Sequence, residues 1–281
     1  MFKIVKGAAL IGVIAIALVC LGVPVQPAQA GTIILEGSDA IGFHSGSNPS
    51  ATAYRDQVWT AIGGSDPRPI AVIGPQPVTA GFIGSGTHAI VAFASIPLAG
   101  PLGSYVALYF LSGTGCCLED DTLPAGNEAA ISAYLAAGGT VMIEDYTGGV
   151  AWDFAVGTGG AGNSHVAGFG GSLPGPGCDD GETVTAAGLT NGFTQPSAMG
   201  CWTHQGYDQS FFGPLGFTLS FFDSPAAYTS SNPTTGPWSS LLSSGLTVTG
   251  EEAGVPEPAS LLLLGAGLAG LAAIARRRRQ R

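Results

Sequence analysis

Lysine is absent from the chain after Lys6, and between residues 31 and 254 the only arginines are Arg55 and Arg68. Against those two stand 18 carboxylates in the same span, a formal charge of −16. A body this acidic repels nucleic acid and anionic lipid, which excludes nucleic-acid partners and any phosphate-tracking function. Glycine-rich stretches occur, but none continues into the Gly-Lys-Ser/Thr of a phosphate-cradling loop, and no lysine is available to complete one. Acidity combined with abundant Gly, Ser and Thr keeps such a chain soluble. The alternative is divalent-cation binding at Glu119-Asp120-Asp121 or Asp179-Asp180-Gly181-Glu182, yet neither has the Asp-x-Asp-x-Asp-Gly spacing with a distant Glu that wraps calcium.

Metal and cofactor signals are equally sparse. The four histidines (His44, His88, His165, His204) show no H-x-H or H-E-x-x-H spacing, and the cysteines show no C-x-x-C pair, so neither a metal site nor a cofactor is expected. No G-x-S-x-G elbow is present beside Ser38 or Ser45. After residue 30 four cysteines remain, Cys116, Cys117, Cys178 and Cys201. An even number in an exported chain predicts two disulfides with three possible connectivities. Strain across the peptide joining Cys116 to Cys117 favours bonding of each to one of the later pair.

What is present is concentrated at the two ends. Lys3 and Lys6 precede an apolar run from Gly7 to Val23, and Ala28-Gln29-Ala30 has the small-x-small pattern cleaved by signal peptidase, which predicts a signal peptide over residues 1–30 removed after Ala30 by the secretion machinery. Cys20 raises the alternative of lipidation, but Val19 stands where a lipobox takes a small residue. At the other end lie Val255-Pro256-Glu257-Pro258, an uncharged run from Ala259 to Ala275, and five arginines within residues 276–281. Seventeen residues of helix span about 25 Å at roughly 1.5 Å per residue, near the short limit for crossing a bilayer. The arginines hold that end in the cytoplasm. The expected order is signal peptide, extracytoplasmic body (31–250), linker with the Pro-Glu-Pro triplet (251–258), transmembrane helix (259–275) and cytoplasmic basic tail (276–281).

This tail resembles the PEP-CTERM sorting signal of bacteria that make exopolysaccharide. The resemblance implies that an exosortase, a membrane protease, recognises Val255 to Pro258 and cleaves there. It further implies passage through the inner membrane, then a cell-surface or secreted location with exopolysaccharide as a possible partner.

The body reads as one α/β domain. Tyr54, Val58, Trp59 and Ile62 recur on one face of a helix over Ala51 to Ile62. Thr32 to Leu35, Pro69 to Ile73, His88 to Ala94, Tyr105 to Leu111 and Thr140 to Tyr146 are strand-length runs, and their continuous apolar character predicts strands covered on both faces. A helix over Asn127 to Ala137 stops at Gly138-Gly139. Alternating strand and helix predicts crossovers and a flavodoxin-like, three-layer, largely parallel sheet. Residues 148–181 are too rich in glycine for regular elements and form either a surface excursion or a lid. Gly200 to Tyr207, Leu215 to Phe222 and Leu246 to Thr249 follow as later strands or a short helix that complete the sheet, with Leu215 to Phe222 equally readable as helix and Ser224 to Gly236 as a loop.

The helix, Gly-Gly and strand in AAISAYLAAGGTVMIED resemble a step of class I glutamine-amidotransferase-like and ThuA-like domains. Where catalytic members of that group carry a nucleophilic cysteine in a turn after a strand, this chain has Asp145-Tyr146-Thr147-Gly148, which implies a scaffold without amidotransferase chemistry. Asp145, His44 and His204 are candidates to line a crevice at the carboxyl ends of the strands. Three function classes remain: a non-catalytic surface or matrix protein, an extracellular hydrolase built on that trio, and a carbohydrate-binding module using Trp152, Trp202 and Trp238 as stacking surfaces.

Overall fold

The computed structural model describes residues 31–74, 88–96, 100–111, 123–144, 150–157, 165–168, 182–195, 205–223 and 237–245. The first strand, β1 (Thr32–Glu36), leads through a π-helical turn at Ala40–His44 into helix α1 (Pro49–Gly63). Helix α1 starts where it does because the Asn48 side chain accepts from the backbone N–H groups of Ser50 and Ala51, with Pro49 in the first turn. Strands β2 (Ile70–Ile73), β3 (Ile90–Phe93) and β4 (Ala107–Phe110) follow, then helix α2 (Glu128–Ala136) and strand β5 (Thr140–Glu144). Helix α2 ends at the glycine pair: Gly138 adopts φ 88°, and a Cβ on Gly139 would lie 2.2 Å from the Tyr134 ring.

These five strands form the parallel half of a sheet, in the order β3-β2-β4-β5-β1. Strand alternation separates two faces. Ile33, Leu35, Ala71, Ile73, Leu108, Phe110, Val141 and Ile143 pack with Ile131 and Tyr134 of α2 on one face. On the other, the Trp59 ring of α1 meets Tyr109 edge-on with centroids 4.9 Å apart. Burying both faces of a parallel sheet supplies the main stabilising term of the domain.

The remainder of the sheet runs antiparallel, which corrects the flavodoxin-like expectation of a largely parallel sheet. It comprises β6 (Val166–Gly168), β7 (Thr183–Val184), β8 (Gln205–Asp208), β9 (Leu219–Asp223) and β10 (Trp238–Ser243). Strand β10 lies antiparallel on β1 through Leu241 to Ser243 and on β8 through Trp238 and Ser239, while β9 takes its opposite edge from Ser239 to Ser243. A strand has only two hydrogen-bonding edges, so β8 lies end to end with β1, extending the sheet beyond the carboxyl end of β1. The Gln205 N–H donating to the Gly37 carbonyl at 2.9 Å joins the two. Strand β6 pairs with β8, and β7 with β9. Three short α-helices, α3 (Asp153–Val156), α4 (Ala186–Thr190) and α5 (Gln209–Phe212), lie between these strands or before β6.

Other expectations are refined. The run expected as a doubly covered strand from His88 to Ala94 is an edge strand among the described residues, paired there with β2 alone, and its Val91 is 39% exposed. Within the glycine-rich stretch, the turn at Val150–Trp152, helix α3 and strand β6 are regular. Leu215 to Phe222 resolves into a turn and strand β9. No helix among the described residues is long and apolar enough to cross a membrane. The expected signal peptide, the transmembrane run over 259–275 and the strand over Leu246 to Thr249 lie outside the described residues.

Candidate functional site

Strands β1 and β5 are neighbours in parallel register, with Glu36 paired to Glu144 as the last residue of each. Beyond Glu36 the chain turns onto the face covered by α1. After β5, the next described elements pack on the opposite face, where Trp152 meets Phe110 with centroids 4.7 Å apart. Divergence of adjacent parallel strands makes a switch point, the place where open α/β sheets form a crevice.

This switch point is filled by the chain's own acidic residues. Glu36, Asp39 and Glu144 are 0%, 0% and 1% exposed. Glu36 accepts hydrogen bonds from the Tyr109 hydroxyl at 2.5 Å and the Ser38 hydroxyl at 2.8 Å. Burial pushes its carboxyl up to about 7, although the hydroxyls of Tyr109, Tyr54 and Ser38 pull in the other direction and the Asp39 charge adds to the rise. The same burial, with the charges of Glu36 and Glu144, raises the phenols of Tyr54 and Tyr109 well above their usual range. Glu144 is held by backbone instead: its Oε1 accepts from the N–H of Ile41 at 3.2 Å and of Gly42 at 2.9 Å. Gly42 permits that approach, since a Cβ there would stand 2.7 Å from Glu144 Oε2.

Of the trio expected to line the crevice, His44 is described, whereas Asp145 and His204 lie outside the described residues. His44 sits at the end of the π-helical turn, its Nε2 3.3 Å from Asp39 Oδ1, with its ring edge-on to Phe43. The sequence reading missed Glu36, Asp39 and Glu144. Its available signal was that two apolar runs, IILE and TVMIE, end in glutamate.

A second pairing lies on the extension of the sheet. His165 Nδ1 is 3.2 Å from Asp208 Oδ2, and the imidazole stacks on Phe211 with centroids 3.7 Å apart and planes 5° from parallel. Asp208 also caps α5 by accepting from the Ser210 N–H at 2.9 Å and the Ser210 hydroxyl at 2.5 Å. Among the described residues no group of three or more His, Cys, Asp or Glu side chains is arranged to hold a metal ion.

The stacking surfaces expected of a carbohydrate module are corrected by burial: Trp152 and Trp238 are each 1% exposed and belong to the interior. Trp202 lies outside the described residues, as do Cys116, Cys117, Cys178 and Cys201. A shallow depression of about 330 Å³ lies instead against α1, lined by Ser50, Tyr54, Gln57, Thr194 and Gln195 among others. Gln57 donates to the Thr194 hydroxyl at 2.8 Å and accepts from its N–H at 3.1 Å.

The PEP-CTERM protein-sorting motif family matches residues 254–279. The match coincides with the Pro-Glu-Pro triplet, the apolar run and four of the five terminal arginines. Such a motif implies processing by an exosortase and export to a cell-surface or membrane-associated location. No curated protein and no solved structure matches the chain. The resemblance of the body to amidotransferase-like and ThuA-like domains is therefore unsupported, and the mixed sheet departs from it.

Proposed function

We propose that the protein is an exported cell-surface or exopolysaccharide-associated protein whose body is a non-catalytic scaffold, with the C-terminal segment as a removable sorting handle. The observation that carries this reading is the sorting-motif match over residues 254–279, laid on an apolar run of marginal length and an arginine cluster. The carboxylate cluster supports the scaffold role. Glu36 and Glu144 serve as internal acceptors, Asp39 stands 3.3 Å from His44 Nε2, and all three are buried. Comparing the mass and location of the mature protein in strains with and without exosortase tests the sorting half. Retention of the full-length chain in the membrane of the exosortase-deficient strain is the expected result, and identical maturation in both strains defeats the proposal.

A carbohydrate-binding role is the second reading, favoured by the depression beside Tyr54. Its amide and hydroxyl groups, with no charge among the described lining residues, suit a neutral hydroxyl-rich ligand better than an ionic one. Titration with neutral oligosaccharides, observed through Gln57 and Gln195 side-chain amide signals, checks this reading, and unchanged signals at saturating sugar oppose it.

A further inference from the structure

We propose that β3 is a self-association edge, pairing antiparallel with β3 of a second copy of the chain about a two-fold axis at Ala92. In the parallel ladder the Ile70 N–H donates to the Ala89 carbonyl at 2.9 Å and the Gly74 N–H to the Phe93 carbonyl at 3.0 Å. Alternation then points the peptide groups of Ala89, Val91 and Phe93 at β2 and those of Ile90 and Ala92 away from it. No strand among the described residues pairs with that outer edge. From Ala89 to Ile96 the chain carries no charge and no proline, so the lysines, prolines and inward charges that blunt edge strands are all missing. At the other described margins β6 and β7 are three and two residues long, which itself blunts pairing.

The occupant follows from pattern and charge. Centring an antiparallel pair on Ala92 places Ile90 against the partner's Ala94, and Val91 against the partner's Phe93. Ile90, Ala92 and Ala94 then use their outward peptide groups as hydrogen-bonded pairs. Val91 is 39% exposed and Phe93 is half-buried against Tyr105, so the cross-strand pair joins a β-branched side chain to an anchored aromatic. Small alanines at the axis let the backbones approach. Two bodies of charge −16 repel one another, and an uncharged edge is where copies can meet with least Coulombic opposition. Because one edge meets its own equivalent, the contact closes as an isologous dimer.

Light scattering and sedimentation of the full chain in mild detergent, at low and high salt, test the proposal. The expected result is a concentration-dependent dimer that strengthens as salt screens the acidic bodies. Ala92→Pro removes an N–H that faces away from β2, so it leaves the internal ladder intact, and it should weaken the dimer by roughly tenfold or more. Val91→Lys, at an exposed position, should do the same and covers the case in which the proline variant fails to fold. Hydrogen exchange supplies the third readout: the Ile90 and Ala92 amides should gain protection as protein concentration rises. A monomer under all conditions, a dimer indifferent to both substitutions, or protection independent of concentration, which means the chain's own segment covers the edge, overturns it.

Discussion

Glu36 and Glu144 occupy one register pair at the ends of adjacent parallel strands, yet their carboxylates are held by different means. Glu36 is clasped by side-chain hydroxyls, Tyr109 at 2.5 Å and Ser38 at 2.8 Å, and burial raises it to about 7. Glu144 receives the backbone N–H groups of Ile41 and Gly42, which fastens the π-helical turn to the sheet. A hydroxyl can donate or accept and so suits a carboxyl in either state, whereas the two backbone N–H groups can only donate to Glu144 Oε1.

The first prediction concerns pH. Because the folded Glu36 sits near 7, above its ordinary value of 4.5, its contribution to stability is fully present below pH 4.5 and is lost as pH rises through 7. The loss amounts to roughly 3 kcal/mol at most. Urea unfolding of the wild-type chain should show stability falling between pH 5 and 8, and Glu36→Gln should flatten that slope. An equal slope in both proteins counts against the assignment.

Gly42→Ala should loosen the turn that Glu144 holds. The new Cβ must displace a carboxylate oxygen at 2.7 Å and press on the Leu111 side chain at 3.2 Å. Separating Glu144 from its two donors should cost about 1–3 kcal/mol in denaturant unfolding. Gly103→Ala, where an added Cβ meets nothing within 4 Å, is the matched control and should be near neutral.

For the thiols, two bridges among Cys116, Cys117, Cys178 and Cys201 remain the expectation for an exported chain with an even number of cysteines. Labelling of the unfolded, unreduced protein after export should find no free sulfhydryl, and reduction should lower its melting temperature. Two or more labelled cysteines rule out the pairing.

At the tail, Pro256 and Pro258 keep the triplet extended and out of any following helix, the conformation a protease grips. Glu257→Ala, or replacement of both prolines by Ala, should leave the full-length chain in the membrane and off the surface. Normal maturation of these variants makes the motif a mere juxtamembrane linker.

Helix α1 and the buried parallel strands were legible because their signals are local: Tyr54, Val58 and Trp59 recur on one face of α1, and IAVI and ALYF are continuous apolar runs. Strand β10 was not legible. Its sequence WSSLLS has neither an apolar run nor an alternation, and no element was expected there; yet Ser239 and Ser243 are fully buried, and the Ser239 hydroxyl has the Phe222 or the Leu241 carbonyl to donate to. Strand β8, QGYD, was foreseen only as part of an undefined strand or short helix, since polarity masks burial in the same way.

By itself the sequence determined the acidic character of the body, its α/β beginning and the sorting motif at residues 254–279, because charge count, periodicity and a contiguous motif are local properties. Tertiary structure decided that the sheet is mixed, that Trp152 and Trp238 are interior, and that Glu36, Asp39 and Glu144 are buried where β1 and β5 end side by side. Those outcomes depend on which distant strand lies beside which. In a sheet, that choice is settled by the packing of both faces together, and no single segment carries it.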